Sequence, residues 1–178
     1  MSGDLSAFEP LVTPYRQALL GLAYRITRNS EDAKEVAQEA FLRAFKYLKS
    51  FDLSKDFKRW LFQILVRAAR NHRYRVSKYE DMTMSDPARE FAAGGGDDPE
   101  RGRDGDEIRS RLADCLGVLT PREREVFVLR DIEDLNIRES ARILGCSAIS
   151  VRVHLSAARK KIRDEIKQRH PELWEGVR

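Results

Sequence analysis

The sequence has few cysteines and no long hydrophobic run. Its two cysteines, Cys115 and Cys146, have no Cys or His partner at metal-ligand spacing, so we expect reduced packing residues and neither a disulfide framework nor a zinc site. No apolar run approaches the ~20 residues of a membrane-spanning helix. The first residues lack the basic and apolar regions of a secretory signal. These absences predict a cytoplasmic protein without membrane insertion.

No stretch alternates apolar and polar residues with a period of two, so we expect no sheet. Between Glu80 and Glu107 there are ten acidic residues against three arginines, and five of the ten glycines also fall there. This composition is typical of a flexible linker. The predicted fold class is therefore all-α, with two small helical domains joined by a flexible acidic linker. The expected boundaries are 1–78, a linker at 79–108, a second domain at 109–170 and a tail of unassigned role at 171–178.

The first domain has three predicted helices. One runs from Pro14 to about Arg28, and Ser30 is expected to cap the second, which has two acids in its first turn. A loop from Ser50 to Asp56 precedes the third helix. Its expected buried residues are Trp60, Leu61, Ile64, Leu65 and Ala68.

The second domain has sharper helix boundaries. Thr120 and Asn136 are each followed three residues later by Glu, which is the spacing of a capping box. Gly145 suits the left-handed position that ends a helix, and Ser147 then caps the last one. Two helices joined by a short turn containing Gly predict a helix-turn-helix. The apolar stripe of the last helix has two possible forms, one with Ile149, Val151 and Val153 and the other with Val151 and Leu155, each continued by Ala158 and Ile162.

The last helix carries the strongest functional signal. It has no acidic residue from Ser147 to Lys161. In a helix-turn-helix the second helix enters the major groove, where its first turns meet base edges and later cations contact phosphates. The candidate base contacts are Ser147, Ser150, Arg152, Val153, His154 and Ser156; the candidate phosphate contacts are Arg159, Lys160 and Lys161.

A second basic cluster surrounds the third helix of the first domain, where Asp56 is the one acid among eight cations from Lys55 to Lys78. Aromatic residues interleave with these cations, an arrangement that suits single-stranded or distorted nucleic acid. Phe57 and Trp60 are interpreted as core residues. Phe51, in the preceding loop, is the better candidate for touching a base.

Three stretches resemble the extracytoplasmic-function (ECF) sigma factors of bacterial RNA polymerase. Residues 30–41 end in Gln-Glu-Ala-Phe and are similar to the acidic segment of conserved region 2. Residues 57–64, Phe-Lys-Arg-Trp-Leu-Phe-Gln-Ile, are similar to its Phe-x-x-Trp-Leu-x-x-Ile segment. Residues 119–127 and the following helix-turn-helix are similar to region 4. The likeness covers about residues 10–75 and 110–168, in the family's order.

The resemblance implies a sigma factor that binds core RNA polymerase and directs initiation at promoters. The first domain would bind the β′ clamp through its second helix, and would recognise and melt the −10 element. The second would recognise the −35 element while packing on the β flap, and the linker would either thread the RNA channel or act as a spacer. The implied clamp residues are Asp32, Glu35, Gln38 and Glu39; the implied −10 residues are Phe51, Lys55, Lys58, Arg59, Arg67, Arg70, Asn71 and Arg75.

One position departs from the family, because Arg67 stands where many members have the Asn that contacts −10 bases. We therefore transfer no −10 sequence to this protein. Family members are often held by an anti-sigma factor, although the sequence identifies none.

The sequence leaves two alternatives to a sigma factor. A stand-alone helix-turn-helix regulator would use the first domain as a sensor or dimerisation unit. A nucleic-acid-processing enzyme would need clustered carboxylates or histidines, whereas His72, His154 and His170 are far apart in the sequence. We therefore expect no enzyme and no cofactor.

Overall fold

The computed structural model describes residues 5–83, 113–169 and 171, and this part of the chain is helical without a β-strand. The chain divides into two compact units, Met1–Gly94 and Gly95–Arg178. The all-α prediction is confirmed. Of the predicted linker, residues 79–83 form the end of the helix Phe57–Thr83; its residues 84–108 and the tail after residue 171 lie outside the described residues, and the domain boundaries stay a prediction.

The first unit begins with a helix that the sequence analysis did not predict. This helix precedes the one expected from Pro14, which itself starts only at Arg16 after a 3₁₀ turn at Thr13–Tyr15. A second 3₁₀ turn, Leu48–Ser50, precedes the predicted loop. The helices are α1 (Leu5–Val12), α2 (Arg16–Thr27), α3 (Ser30–Tyr47) and α4 (Phe57–Thr83).

Small side chains on α3 allow the helices of this unit to pack closely. Four alanines and Val36 form its buried face, against which α2 and α4 pack. Phe8 of α1 meets Phe45 of α3 edge to face, with 5.2 Å between ring centroids. Trp60 was expected to be buried but is only half-buried. The large core residues are Leu19, Leu22, Leu61, Phe62, Leu65 and Val66.

The N-cap of α3 is Asn29, so the assignment of this role to Ser30 was wrong. The Asn29 side chain accepts hydrogen bonds from the backbone N–H groups of Glu31 and Asp32, at 2.8 and 3.0 Å. Arg28 ends α2 in the left-handed conformation, with φ of 60°. Asn29 then takes the extended conformation of an N-cap, and Ser30 becomes the first helical residue.

The first described residues of the second unit, 113–117, are helical. Both of its cysteines are free, and burial raises the pKa of the Cys115 thiol. Both predicted capping boxes are confirmed, at Thr120 and at Asn136, and Ser147 Oγ accepts from the Ser150 N–H at 3.0 Å. The elements are α5 (Pro121–Phe127), a π-helical turn (Val128–Ile132), α6 (Ile137–Leu144) and α7 (Ala148–Arg169).

The turn between α6 and α7 has the geometry that the sequence predicted. Gly145 has φ of +59°, and its N–H bonds the Arg142 carbonyl at 3.3 Å. The Cys146 N–H bonds the Ala141 carbonyl at 3.0 Å, which completes a Schellman motif. This turn sets the direction in which α7 leaves α6.

Alanine is expected to have opposite effects at two glycines. At Gly145 nothing lies within 4 Å of an added Cβ, so the cost is the left-handed backbone alone, about 1–2 kcal/mol. Gly21 lies inside α2, where the added Cβ would touch only the end of the Arg25 side chain. Alanine there should stabilise by roughly 0.5–1 kcal/mol. Native-state hydrogen exchange of α2 and of α6–α7 measures both changes in the full chain, and the same sign at both glycines would contradict this account.

Candidate nucleic-acid interface

The helix α7 has one buried face and one exposed face. Val151, Leu155 and Ala158 are buried in the core of this unit, so the second form of the predicted stripe is confirmed. Ile149 is 70% exposed and Val153 is 61% exposed, so the first form was wrong. His154 and Ser150 are half-buried. The exposed candidate DNA-contact residues are Ser147, which directly precedes α7, and Arg152, Val153, Ser156, Arg159 and Lys160 on α7.

Two shallow depressions border this exposed face. One lies between α6 and α7, where Arg130, Arg138 and Arg152 converge from three different elements. The other is lined by Arg152, Val153, Ser156, Ala157 and Lys160. Arg152 borders both depressions. The Arg130 guanidinium donates to the Leu135 carbonyl oxygen, whereas Arg138 and Arg152 are exposed and suit phosphate or a guanine edge.

Two cations near the end of the predicted interface are bound to acids of the same unit. Arg159 makes a bidentate contact with Asp131 of the π-helical turn, at 2.7 and 2.8 Å. The hydrogen bonds to Asp131 raise the pKa of Arg159. Lys161 Nζ lies 2.8 Å from Glu123 Oε2. Both cations were predicted to contact phosphates, and both are already paired in the protein.

Glu123 takes part both in the capping box at Thr120 and in the ion pair with Lys161. Burial opposes its ionisation, but hydrogen bonds from Lys161 and Thr120 outweigh burial and lower its pKa. The charge of Glu123 is therefore retained at neutral pH, which holds α7 against the start of α5.

An aromatic cluster anchors the loop that precedes α4. Phe51 lies 5.3 Å from Phe57 and 4.8 Å from Trp60 between ring centroids, and Tyr15 meets Phe57 at 5.5 Å. All four rings are half-buried. Phe51 is thus one wall of a cluster rather than a side chain standing free in a loop.

The loop itself is fixed by Asp52. Its carboxylate accepts hydrogen bonds from the N–H and the hydroxyl of Ser54, at 3.0 and 2.7 Å, and lies 3.1 Å from Lys55 Nζ. The Ser54 side chain, the Ser54 N–H and Lys55 together lower the pKa of Asp52 to about 2. Between these residues Leu53 is 91% exposed. The loop therefore presents an apolar side chain to solvent on an ordered backbone.

The remaining −10 candidates lie along α4. Lys58, Arg59, Arg67 and Asn71 are exposed and Arg70 is half-buried, while Lys58 Nζ sits 5.0 Å from the Phe62 ring centre. These residues follow one another along the helix, so the structure brings them onto one element as expected.

Arg75 connects this set with the predicted polymerase contacts on α3. Its guanidinium lies 3.1 Å from Glu35. The buried ring of His72 lies between two carboxylates, 3.0 Å from Asp32 and 3.3 Å from Glu35. Glu39 is paired with Arg43 at 2.6 Å, and Gln38 is exposed. Two surfaces that the sequence analysis treated as separate therefore meet at Glu35.

Comparison with known proteins identifies the family. The profile of Sigma-70 region 2 matches residues 11–78, and that of Sigma-70, region 4 matches residues 109–162. The ECF RNA polymerase sigma-E factor of Escherichia coli K12 is 31% identical over 172 residues, which cover 92% of this chain and 88% of that protein. This chain is an ECF sigma factor. The RNA polymerase sigma-H factor of Pseudomonas aeruginosa is 33% identical over 168 residues, covering 90% of this chain and 86% of that protein.

Solved structures agree with this assignment. CnrH, solved with the cytosolic domain of CnrY, is 26% identical, has a TM-score of 0.65 and matches 94% of this chain and 92% of its own. Bartonella quintana RpoE, solved with the anti-sigma factor NepR, has a TM-score of 0.75 over 92% of this chain and 98% of its own; at 18% identity it supports the fold alone.

The ECF assignment made from three sequence motifs is confirmed. As a sigma factor, the chain binds core RNA polymerase and directs promoter-specific transcription, and the stand-alone regulator is not favoured. Within the described residues, none of the helices combines the length and apolar character needed to cross a membrane.

Sequence reasoning missed three residues that the structure places at these surfaces. Arg130 and Arg138 belong to the arginine-lined depression, and Ile149 stands on the exposed face of α7. A sequence signal existed for Arg138, since it lies two residues after the Asn136 cap in the helix-turn-helix. The position of Arg130 depends on the π-helical turn, which no sequence pattern indicated.

Replacing Asp131 with Asn tests whether Arg159 is available to DNA. The substitution removes the charge that neutralises Arg159, so Arg159 should reach a phosphate. The slope of log K against log salt for promoter binding by reconstituted polymerase should become steeper by about one. Lys160→Ala, as the opposite control, should make the slope shallower by about one. An unchanged slope in Asp131→Asn would assign Arg159 to the stability of the unit.

Proposed function

We propose that three surfaces of this sigma factor divide the work of promoter recognition. The exposed face of α7 recognises the −35 element, α4 with the loop before it recognises and melts the −10 element, and α3 binds the polymerase clamp. The single observation that carries the proposal is the exposed face of α7, where arginines converge and no acid interrupts residues 147–161.

The −35 proposal rests on the position of α7 after the α6–α7 turn. Arg152 and Ser156 are exposed in the first turns of α7, where a recognition helix meets base edges. Lys160 lies further along and suits a phosphate. Ser147 has a different role, because its hydroxyl caps α7, and Arg159 reaches DNA only by leaving Asp131.

The −10 proposal rests on the ordered loop and the basic helix beside it. Unpairing a base costs a few kcal/mol, which a prepared pocket offsets. Phe51, Phe57 and Trp60 supply an apolar wall, and Leu53 supplies an exposed apolar side chain next to it. The cations of α4 would hold the phosphates of the separated strand.

The partner proposals follow from the family. Asp32, Glu35, Gln38 and Glu39 would meet the clamp, which would compete with Arg75, His72 and Arg43 for their carboxylates. The two structural relatives were solved with NepR, an anti-sigma factor, and with CnrY. We extend such regulation to this chain. Because its relatives are sigma factors, we assign it no catalytic activity and place it in the cytoplasm with RNA polymerase.

Replacing Arg152 with Ala should weaken −35 binding at particular base pairs. If Arg152 contacts a guanine in bidentate fashion, the loss is ~1–3 kcal/mol at that pair. Affinities for a panel of single-base −35 variants measure it, with Lys160→Ala as the control that should lose equally on all of them. An equal loss in Arg152→Ala would reassign this side chain to a phosphate.

Replacing Phe51 with Ala should impair promoter opening more than polymerase binding. The substitution removes one wall of the aromatic cluster, and stacking of a base on such a ring is worth ~1–3 kcal/mol. Opening is measured by permanganate reactivity of −10 thymines on duplex DNA. On DNA already mismatched at −10, where no unpairing is needed, transcription by the variant should recover.

Leu53→Ala tests the second apolar side chain of the proposed −10 surface, because it removes an exposed side chain without changing the cluster; it should also reduce opening. Co-elution with bacterial core RNA polymerase on a sizing column should be unchanged in both variants. Normal opening combined with lost co-elution in Phe51→Ala would show that the −10 assignment is wrong. If the unsubstituted chain itself does not co-elute, the sigma mechanism proposed here fails.

A further inference from the structure

Two β-branched apolar side chains project into solvent from the first turns of α7. Ile149 is 70% exposed and Val153 is 61% exposed, whereas Val151 and Leu155, which alternate with them, are buried. Residues four apart lie on the same side of a helix. Ile149 and Val153 therefore share the exposed face of α7 with Arg152.

The charges around this apolar pair indicate what covers it. Arg152 stands between the two side chains in the sequence, Lys160 follows on the same helix, and residues 147–161 contain no acid. Arg130 and Arg138 line the adjoining depression. The matching partner is anionic and also presents small apolar groups. The DNA major groove has both features, because each thymine places a 5-methyl group there between the phosphate backbones.

We propose that Ile149 and Val153 determine −35 specificity by packing on the methyl groups of two thymines. This inference rests on the proposed placement of α7 in the −35 major groove. β-branched side chains have few rotamers, so little freedom is lost when they bind. Four residues span about 6 Å of helix, and base pairs are about 3.4 Å apart. The two thymines therefore lie within about two base-pair steps of each other.

Deoxyuridine is the sharpest probe, because it lacks the 5-methyl group and keeps every hydrogen-bonding group of thymine. The preferred −35 sequence is first selected from randomised promoters with the reconstituted polymerase. Each thymine in it is then replaced in turn by deoxyuridine, and promoter affinity is measured. We expect a loss of about fourfold at each of two thymines, the value of one buried methyl group.

Alanine variants connect each thymine with one side chain. Ile149→Ala should abolish the deoxyuridine effect at one of the two thymines, and Val153→Ala should abolish it at the other. Both side chains are exposed, so both variants should keep the thermal unfolding profile of the parent. Val118→Ala is the matched control, since Val118 is an apolar residue of the same unit that is 37% exposed. At each of the two positions, it should leave unchanged the ratio of promoter affinity with thymine to that with deoxyuridine.

The outcomes separate this inference from the function on which it rests. A selected −35 element without such thymines, or a deoxyuridine effect that persists in both alanine variants, would overturn the inference while Arg152→Ala still weakens −35 binding. Weaker binding of Ile149→Ala to core polymerase with unchanged thymine ratios would also overturn it, in favour of a protein partner. If Ile149→Ala, Val153→Ala and Arg152→Ala all leave −35 binding unchanged, the placement of α7 in the −35 major groove is itself wrong.

Discussion

An ion pair with one buried member helps to determine how the second unit presents its DNA-facing helix. Glu125 of α5 is 0% exposed, so loss of its partner would leave a buried charge, which is strongly destabilising. Its partner Arg122 lies 3.2 Å away and also donates to the Leu144 carbonyl oxygen at 3.3 Å. That second bond fixes the end of α6 directly before Gly145. The direction of α7 therefore depends on a charge in the core as well as on the turn.

The cations of both units fall into two classes, those in an ion pair with an acid of another element and those without such a pair. Arg75, Arg159 and Lys161 have acidic partners from other elements, so each contributes to holding two elements together. Using any of them on DNA requires that this contact break. A count of basic residues along a helix therefore overestimates the charge that the helix offers to phosphate. The sequence-specific part of the proposed interface depends on fewer side chains, with Arg152 at its centre because it borders both depressions of α7.

Features that depend on residues close together in the sequence were predictable, whereas features that depend on tertiary packing were not. The capping boxes at Thr120 and Asn136 join residues three apart, so their spacing sufficed. The cap of α3 was misassigned by one residue, because the choice depends on the left-handed Arg28. Apolar residues at 149, 151, 153 and 155 fit two faces of a helix equally well, and only packing within the unit decides between them. Helix α1 was not predicted; it meets α3 through a ring contact between Phe8 and Phe45, which are distant in sequence.

The two proposed DNA surfaces share one physical arrangement. In each, an ordered backbone holds an apolar side chain in solvent among cations: Leu53 on the loop fixed by Asp52, and Ile149 on the helix capped by Ser147. The Asp52 carboxylate holds this loop through hydrogen bonds from Ser54 and a contact with Lys55, all of which lie within the loop itself. Exposure of these apolar side chains to water is unfavourable in the free protein, and packing against DNA would remove that unfavourable exposure. Cations then provide attraction and position, while apolar contacts distinguish one base from another.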